Sequence, residues 1–118
     1  MNSSLLMPAE WEPHKGTWLA WPHLEDHWPG KFEKIPPVYA EIVSALLEGG
    51  EEVFICANSV AMEKTAREIL SQKIKNAKDF SKIKFFQIPT DASWSRDHGP
   101  IFVRDKTGKL IIEDWIFN

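Results

Sequence analysis

The ten residues from Asp91 to Pro100, DASWSRDHGP, hold one indole, one arginine, one histidine and two aspartates, and close on Gly-Pro. A carboxylate accepts two parallel hydrogen bonds from a planar guanidinium, and an indole face attracts the same cation through its ring quadrupole. Asp97 and Trp94, three positions apart, suit these two jobs, which makes the stretch a candidate wall for a pocket that takes a planar cation. A purely structural reading is equally concrete. Arg96 and Asp97 would form an ordinary ion pair, Trp94 would anchor the loop in the core, and Gly99-Pro100 would be turn chemistry. Composition and spacing leave both open.

The other reactive side chains carry less. Cys56 would need a neighbouring base and an electropositive, partly open setting to act as a nucleophile. Flanked by Ile55 and Ala57 in an apolar run, it reads as core. As the sole cysteine it excludes an internal disulfide and a cysteine-rich zinc site, and it fits a reducing compartment. His23 and His27, four apart, would share a helix face suited to a metal, but Pro22 and Pro29 bracket them in a loop and no third ligand follows at a familiar spacing. No metal site is assigned, and His14 and His98 have no better support as ligands. There is no G-x-G-x-x-G or Walker loop, because Gly49-Gly50 follows a helix pattern where a nucleotide loop would follow a strand. Most of the six tryptophans are expected in the core, since each indole buries a large apolar area.

The elements that must position these residues follow from periodicity and punctuation. TWLAWP, Thr17 to Pro22, reads as a strand that stops at Pro22. His23 to Pro37 is polar, proline-rich and without a sustained period, a long connection of the kind that often carries function. From Val38 a helix is predicted with Val38, Ile42, Ala45 and Leu46 on one face, Pro36 and Pro37 at its start and Gly49-Gly50 at its stop. Glu51 to Asn58 reads as a strand buried on both faces. Asn58 or Ser59 caps a second helix, in which Met62, Ala66, Ile69 and Leu70 share a face as far as about Ile74. Lys82 to Pro89 is a further strand. IFVRD and KLIIEDWIF then form a hairpin with Gly108 in the left-handed conformation. The order β-α-β-α-β-loop-β-β calls for an α/β layer fold, and Asp91 to Pro100 falls after a strand, where α/β sheets bind ligands.

At 118 residues the chain is about one domain long, with no internal boundary expected. Its formal charge of -3 comes from interspersed acids and bases, with no basic block to track nucleic-acid phosphates. No apolar run approaches the roughly 18 to 20 residues of a membrane span, and the first residues lack the pattern of a signal peptide. No nucleic-acid or membrane partner is assigned, and a cytoplasmic location is the simplest expectation. The chain ends at Asn118 directly after a strand-like run, and the uncovered edge this would leave suggests a piece of something longer.

Two stretches point to a family. MPAEWEPHKGTWLAWP, Met7 to Pro22, resembles the opening of the agmatine deiminase and bacterial-type peptidylarginine deiminase family, and SWSRDHGPIFV, Ser93 to Val103, resembles its W-x-R-D-x-G-P signature. The resemblance covers almost the entire chain. It implies a five-bladed α/β propeller of ββαβ units, a mixed sheet with two main helices here, of which this chain supplies the first one to two units. It also implies a hydrolase in which a cysteine thiolate attacks the guanidinium carbon, ammonia leaves, and a histidine moves the protons, with no metal or organic cofactor.

On that resemblance Asp97 is a guanidinium-gripping carboxylate, Trp94 a pocket wall, Arg96 an orienting residue paired locally and not touching the substrate, and Trp21 a supporting channel residue. The partner would be agmatine or the arginine side chain of a peptide, and the full-length protein has room to form a homo-oligomer. The family's nucleophilic cysteine and its H-x-D histidine have no match among these 118 residues. They are expected beyond Asn118, and residues 1–118 alone are expected to be inactive. Many members carry an aspartate two positions before the tryptophan, where this chain has Ala92, with Asp91 one place earlier. The reading of another class is a non-catalytic α/β interaction module whose tryptophans all serve packing.

Overall fold

A computed structural model describes residues 4–116. Phe117 and Asn118, at the end of the last predicted β-run, lie outside the described residues. The contacts gather into two compact units, His14–Ser95 and a smaller one formed by Met1–Pro13 with Arg96–Asn118.

The larger unit is a three-stranded parallel sheet in the order β1 (Gly16–Ala20), β2 (Glu52–Ala57), β3 (Ile83–Gln87). Trp18 lies opposite Phe54, and Cys56 opposite both Ala20 and Phe86. The connections are α1 (Ile35–Glu48), α2 (Val60–Lys73) and the short α3 (Ala77–Phe80). Both long helices begin and end as their chemistry requires. The prolines of α1 sit in its first turn, where no intrahelical N–H is needed, and Gly50 takes φ +87 just past its end. Ser59 Oγ caps α2 by accepting from the Met62 N–H at 3.2 Å. Gly16 opens β1 because a Cβ there would lie 2.5 Å from the Glu52 carbonyl oxygen.

One core holds this unit together. Val53, Ile55 and Ile83 of the sheet meet Ala40, Val43 and Leu47 of α1 and Ala66 and Leu70 of α2. The buried face of α1 is therefore not the predicted one: Val38 and Ile42 are exposed, and Ala40, Val43 and Leu47 point inward. Apolar residues surround much of this helix, so its period marked it as helical without fixing which side would be covered. Strand β2 also departs from expectation. Its burial alternates, with Val53, Ile55 and Ala57 buried and Phe54 and Cys56 only half-buried, because both long helices pack on the same face. On the opposite face Trp18 packs against Phe54 and Phe86, with ring centroids 5.0 and 5.1 Å away.

The tryptophans correct a third expectation. Only Trp21 is fully buried, whereas Trp11, Trp18, Trp94 and Trp115 are exposed.

The smaller unit is the antiparallel hairpin of β4 (Ile101–Arg104) and β5 (Leu110–Glu113), extended by reciprocal 2.8 Å backbone hydrogen bonds between Leu6 and Arg104. Its turn follows the sequence closely. Gly108 takes φ +83, and Asp105 Oδ1 accepts from the Thr107 N–H, the Thr107 hydroxyl and the Lys109 N–H at 2.8, 2.6 and 3.0 Å. Parallel and antiparallel pairing are thus both present, but in two separate sheets.

Candidate functional site

The carboxyl ends of parallel strands are where α/β sheets display ligand-binding residues. In the larger unit three segments leave those ends: Trp21 to His23 after β1, Asn58 after β2 and Thr90 after β3. Asn58 ties them together. Its Oδ1 accepts from the Thr90 N–H at 2.9 Å and the Thr90 hydroxyl at 3.1 Å, while its Nδ2 donates to the Thr90 carbonyl at 3.0 Å. With the amide oriented in this way, Nδ2 also faces His23 Nε2 at 3.1 Å, which makes that nitrogen the acceptor. The tautomer that fits carries its proton on Nδ1, 3.4 Å from the Trp21 carbonyl.

The segment after Thr90 is fixed at further points. Ser93 is buried, with its side chain beside the Tyr39 hydroxyl. Burial pushes the Tyr39 hydroxyl above its usual pKa, and the neighbouring Ser93 offsets part of that rise. Tyr39 stands edge-on to Trp21 at 6.0 Å. Ser95 Oγ donates to the Trp18 carbonyl at 3.4 Å. Between these anchors Trp94 is 48% exposed, so part of its indole remains accessible. Thus Trp94 neither anchors the core nor lies free on the surface.

Trp21 has a different environment. It is 2% exposed and belongs to the hydrophobic core, although it also borders a cavity of about 350 Å³ between the long connection and α2. His23, Phe32, Ser59 and Met62 line that cavity, and Trp94 does not.

The second half of the motif belongs to the smaller unit. Ser95–His98 forms one helical turn, α4, where a loop was predicted, and both Arg96 and Asp97 are exposed. Arg96 is paired, but not locally: its partner is Glu10, at 2.7 Å, and not Asp97. Glu10 lies in the MPAEWEP opening, so this ion pair joins the two stretches that carried the family resemblance. With Arg96 engaged elsewhere, Asp97 makes no ion pair among the described residues.

Cys56 is half-buried, and burial raises its thiol pKa, the opposite of what an activated nucleophile needs. Among the described residues no cluster of three His, Cys, Asp or Glu side chains is placed to hold a metal. Asn58, Tyr39 and Glu10 were not assigned these roles from sequence. Asn58 was considered only as a helix cap, a job that Ser59 performs.

Comparison with known proteins gives a consistent result. Residues 6–118 match the sequence profile described as Porphyromonas-type peptidyl-arginine deiminase. Agmatine deiminases of Pseudomonas aeruginosa (strain LESB58) and Stutzerimonas stutzeri (strain A1501) are 34% and 35% identical over 112 residues, which is 95% of this chain and 28% of each of theirs. The chain therefore spans less than a third of the length of these relatives. A solved C. jejuni agmatine deiminase superimposes with a TM-score of 0.75 at 26% identity, over 98% of this chain and 32% of that one. A structure described as the putative arginine deiminase from Porphyromonas gingivalis does so with a TM-score of 0.72 at 23% identity, over 98% and 31%, and shows a shared fold. Matched by the profile across nearly all its length, the chain belongs to the Porphyromonas-type peptidyl-arginine deiminase family.

Proposed function

We propose that residues 1–118 are the N-terminal part of a cytoplasmic hydrolase that deiminates a guanidino group, converting agmatine and water to N-carbamoylputrescine and ammonia in putrescine formation. The observation that carries this reading is the state of the W-x-R-D motif. Trp94 is held about half exposed, and Arg96 is paired with Glu10, which leaves the Asp97 carboxylate without an ionic partner among the described residues. On this reading Trp94 supplies a cation–π wall and Asp97 a bidentate acceptor for the guanidinium. Arg96 orients the turn, and Trp21 supports the strand end from the core.

The chain then serves as one N-terminal segment, the first one to two ββαβ units of a five-bladed α/β propeller. The attacking thiolate and the proton-shuttling histidine come from residues after Asn118. Agmatine is favoured by the names of the similar enzymes. The family description favours a second substrate, the arginine side chain of a protein.

A fluorescence titration tests the binding half of this proposal. Agmatine is expected to quench the half-exposed Trp94, with the quench lost in Trp94→Phe and weakened in Asp97→Ala, while neutral N-carbamoylputrescine has little effect. An equal response to both compounds would remove the cation-binding reading. Residues 1–118 alone are expected to release no ammonia from agmatine, and release above a buffer control would contradict the assignment of the nucleophile to another part of the polypeptide.

A further inference from the structure

The long connection between β1 and α1 contributes a residue that the motif does not contain. Trp28 follows the 3-10 turn Glu25–His27 and stacks on Trp94, with ring centroids 5.4 Å apart and ring planes 23° from parallel. His27 leans against the same Trp94 indole at 5.0 Å, and Phe32 backs Trp28 at 6.3 Å. All four side chains lie in the larger unit. We infer that Trp28 is a positioning residue for Trp94: it covers one indole face and fixes the ring, so that the exposed remainder is offered in a single orientation.

The reason is conformational. Trp94 lies outside any strand, and its backbone anchor, Ser93, does not restrain its χ angles. An exposed side chain of this kind would hop between rotamers, and a ligand would have to order it on binding. Offset stacking on a second indole, itself backed by Phe32 and half-buried, does that ordering in advance. The long connection would thereby shape the binding wall without touching the reacting group. Only the consequence for affinity rests on the guanidinium-binding reading; the ordering of Trp94 stands on the geometry alone.

The test uses the 118-residue chain labelled with 15N at its indoles, together with far-ultraviolet circular dichroism. Two stacked indoles give an exciton couplet, which Trp28→Ser and Trp94→Phe should each remove. In Trp28→Ser the Trp94 Nε1–H should lose order on the fast timescale, and Trp28→Phe, which keeps a ring to stack on, should restore it. Agmatine should bind about two- to tenfold more weakly to Trp28→Ser and within about twofold of wild type to Trp28→Phe, the range set by the energy of one aromatic pair. Trp94 equally ordered in Trp28→Ser, or a couplet that survives Trp94→Phe, would overturn the inference. The second of these applies even if Trp28→Ser does not fold. If wild type ignores agmatine while Trp94 still loosens in Trp28→Ser, the ligand reading fails and the positioning role holds.

Discussion

Asn58 shows how one side chain can do the work of backbone. It returns both a donor and an acceptor to Thr90, the third residue past β3 on the segment that leads to Trp94. Asn58→Ala leaves those peptide groups without partners and should cost about 2 kcal/mol in urea unfolding, within the range for an unmet buried hydrogen bond. Asn58→Asp should recover only the acceptor half, since its second oxygen would face the Thr90 carbonyl. Equal midpoints for wild type and both variants would refute the clasp. Cys56 and Tyr39 make the site side of the sheet sensitive to alkali. Both have folded pKa values above their ordinary 9.0 and 10.0, so folding favours their neutral forms. That contribution is complete below those values and is lost as pH rises through the raised ones, so stability should fall in strong alkali. Alkylation of Cys56 should be slower in the folded chain than in urea. At this scale the sequence proposes Trp94 and Asp97 because cation chemistry names its residue types and their spacing. Asn58, Trp28 and Glu10 were not legible in it, because each acts on a partner brought near only by the fold.

Elements were legible where end signals and period agreed. Gly49-Gly50 and Ser59 marked the end of α1 and the start of α2 to the residue, while α1 begins at Ile35, three residues before the expected Val38. The face of α1 was not legible, because the distinction between Val38–Ile42 and Ala40–Val43 depends on where the sheet lies. The four-residue turns α3 and α4 are too short to show a period at all. The reason for Gly16 at the start of β1 is spatial: a methyl group would meet the Glu52 carbonyl oxygen and the Phe54 ring. Gly16→Ala should therefore destabilise the larger unit by about 1–3 kcal/mol through overpacking at the β1–β2 start, read as a lower thermal midpoint. An unchanged midpoint would mean that the strand shifts to accommodate the methyl group. Ser59→Ala should cost about 1 kcal/mol through the lost cap of α2.

At the scale of the whole molecule, acid should weaken both units. Hydrogen bonds from Lys84 to Glu52, from Gln87 and Arg67 to Glu63, and from Thr107 to Asp105 hold these carboxylates below their ordinary 4.5 and 3.8. Their contributions are present above those ordinary values and are lost as pH falls through the lowered ones, with salt reducing the exposed Glu52 part. The parallel α/β order was legible because strands alternating with amphipathic helices admit few other layouts. The hairpin was legible too, but its separation from the parallel sheet was not, since strand order does not say which sheet a pair joins. The central claim is that residues 1–118 supply the guanidinium-binding wall of a deiminase, and one exchange tests it. These residues would replace the aligned segment of the Pseudomonas aeruginosa agmatine deiminase, and the chimaera, checked for a cooperative unfolding transition, would be assayed for ammonia release from agmatine and from a peptidyl-arginine substrate. Turnover of agmatine is expected, with Asp97→Ala lowering kcat/KM on the order of a hundredfold or more, as removal of a charged partner from a buried cation does. A folded chimaera that releases no ammonia from either substrate, or one whose rate is indifferent to Asp97→Ala, would contradict the claim.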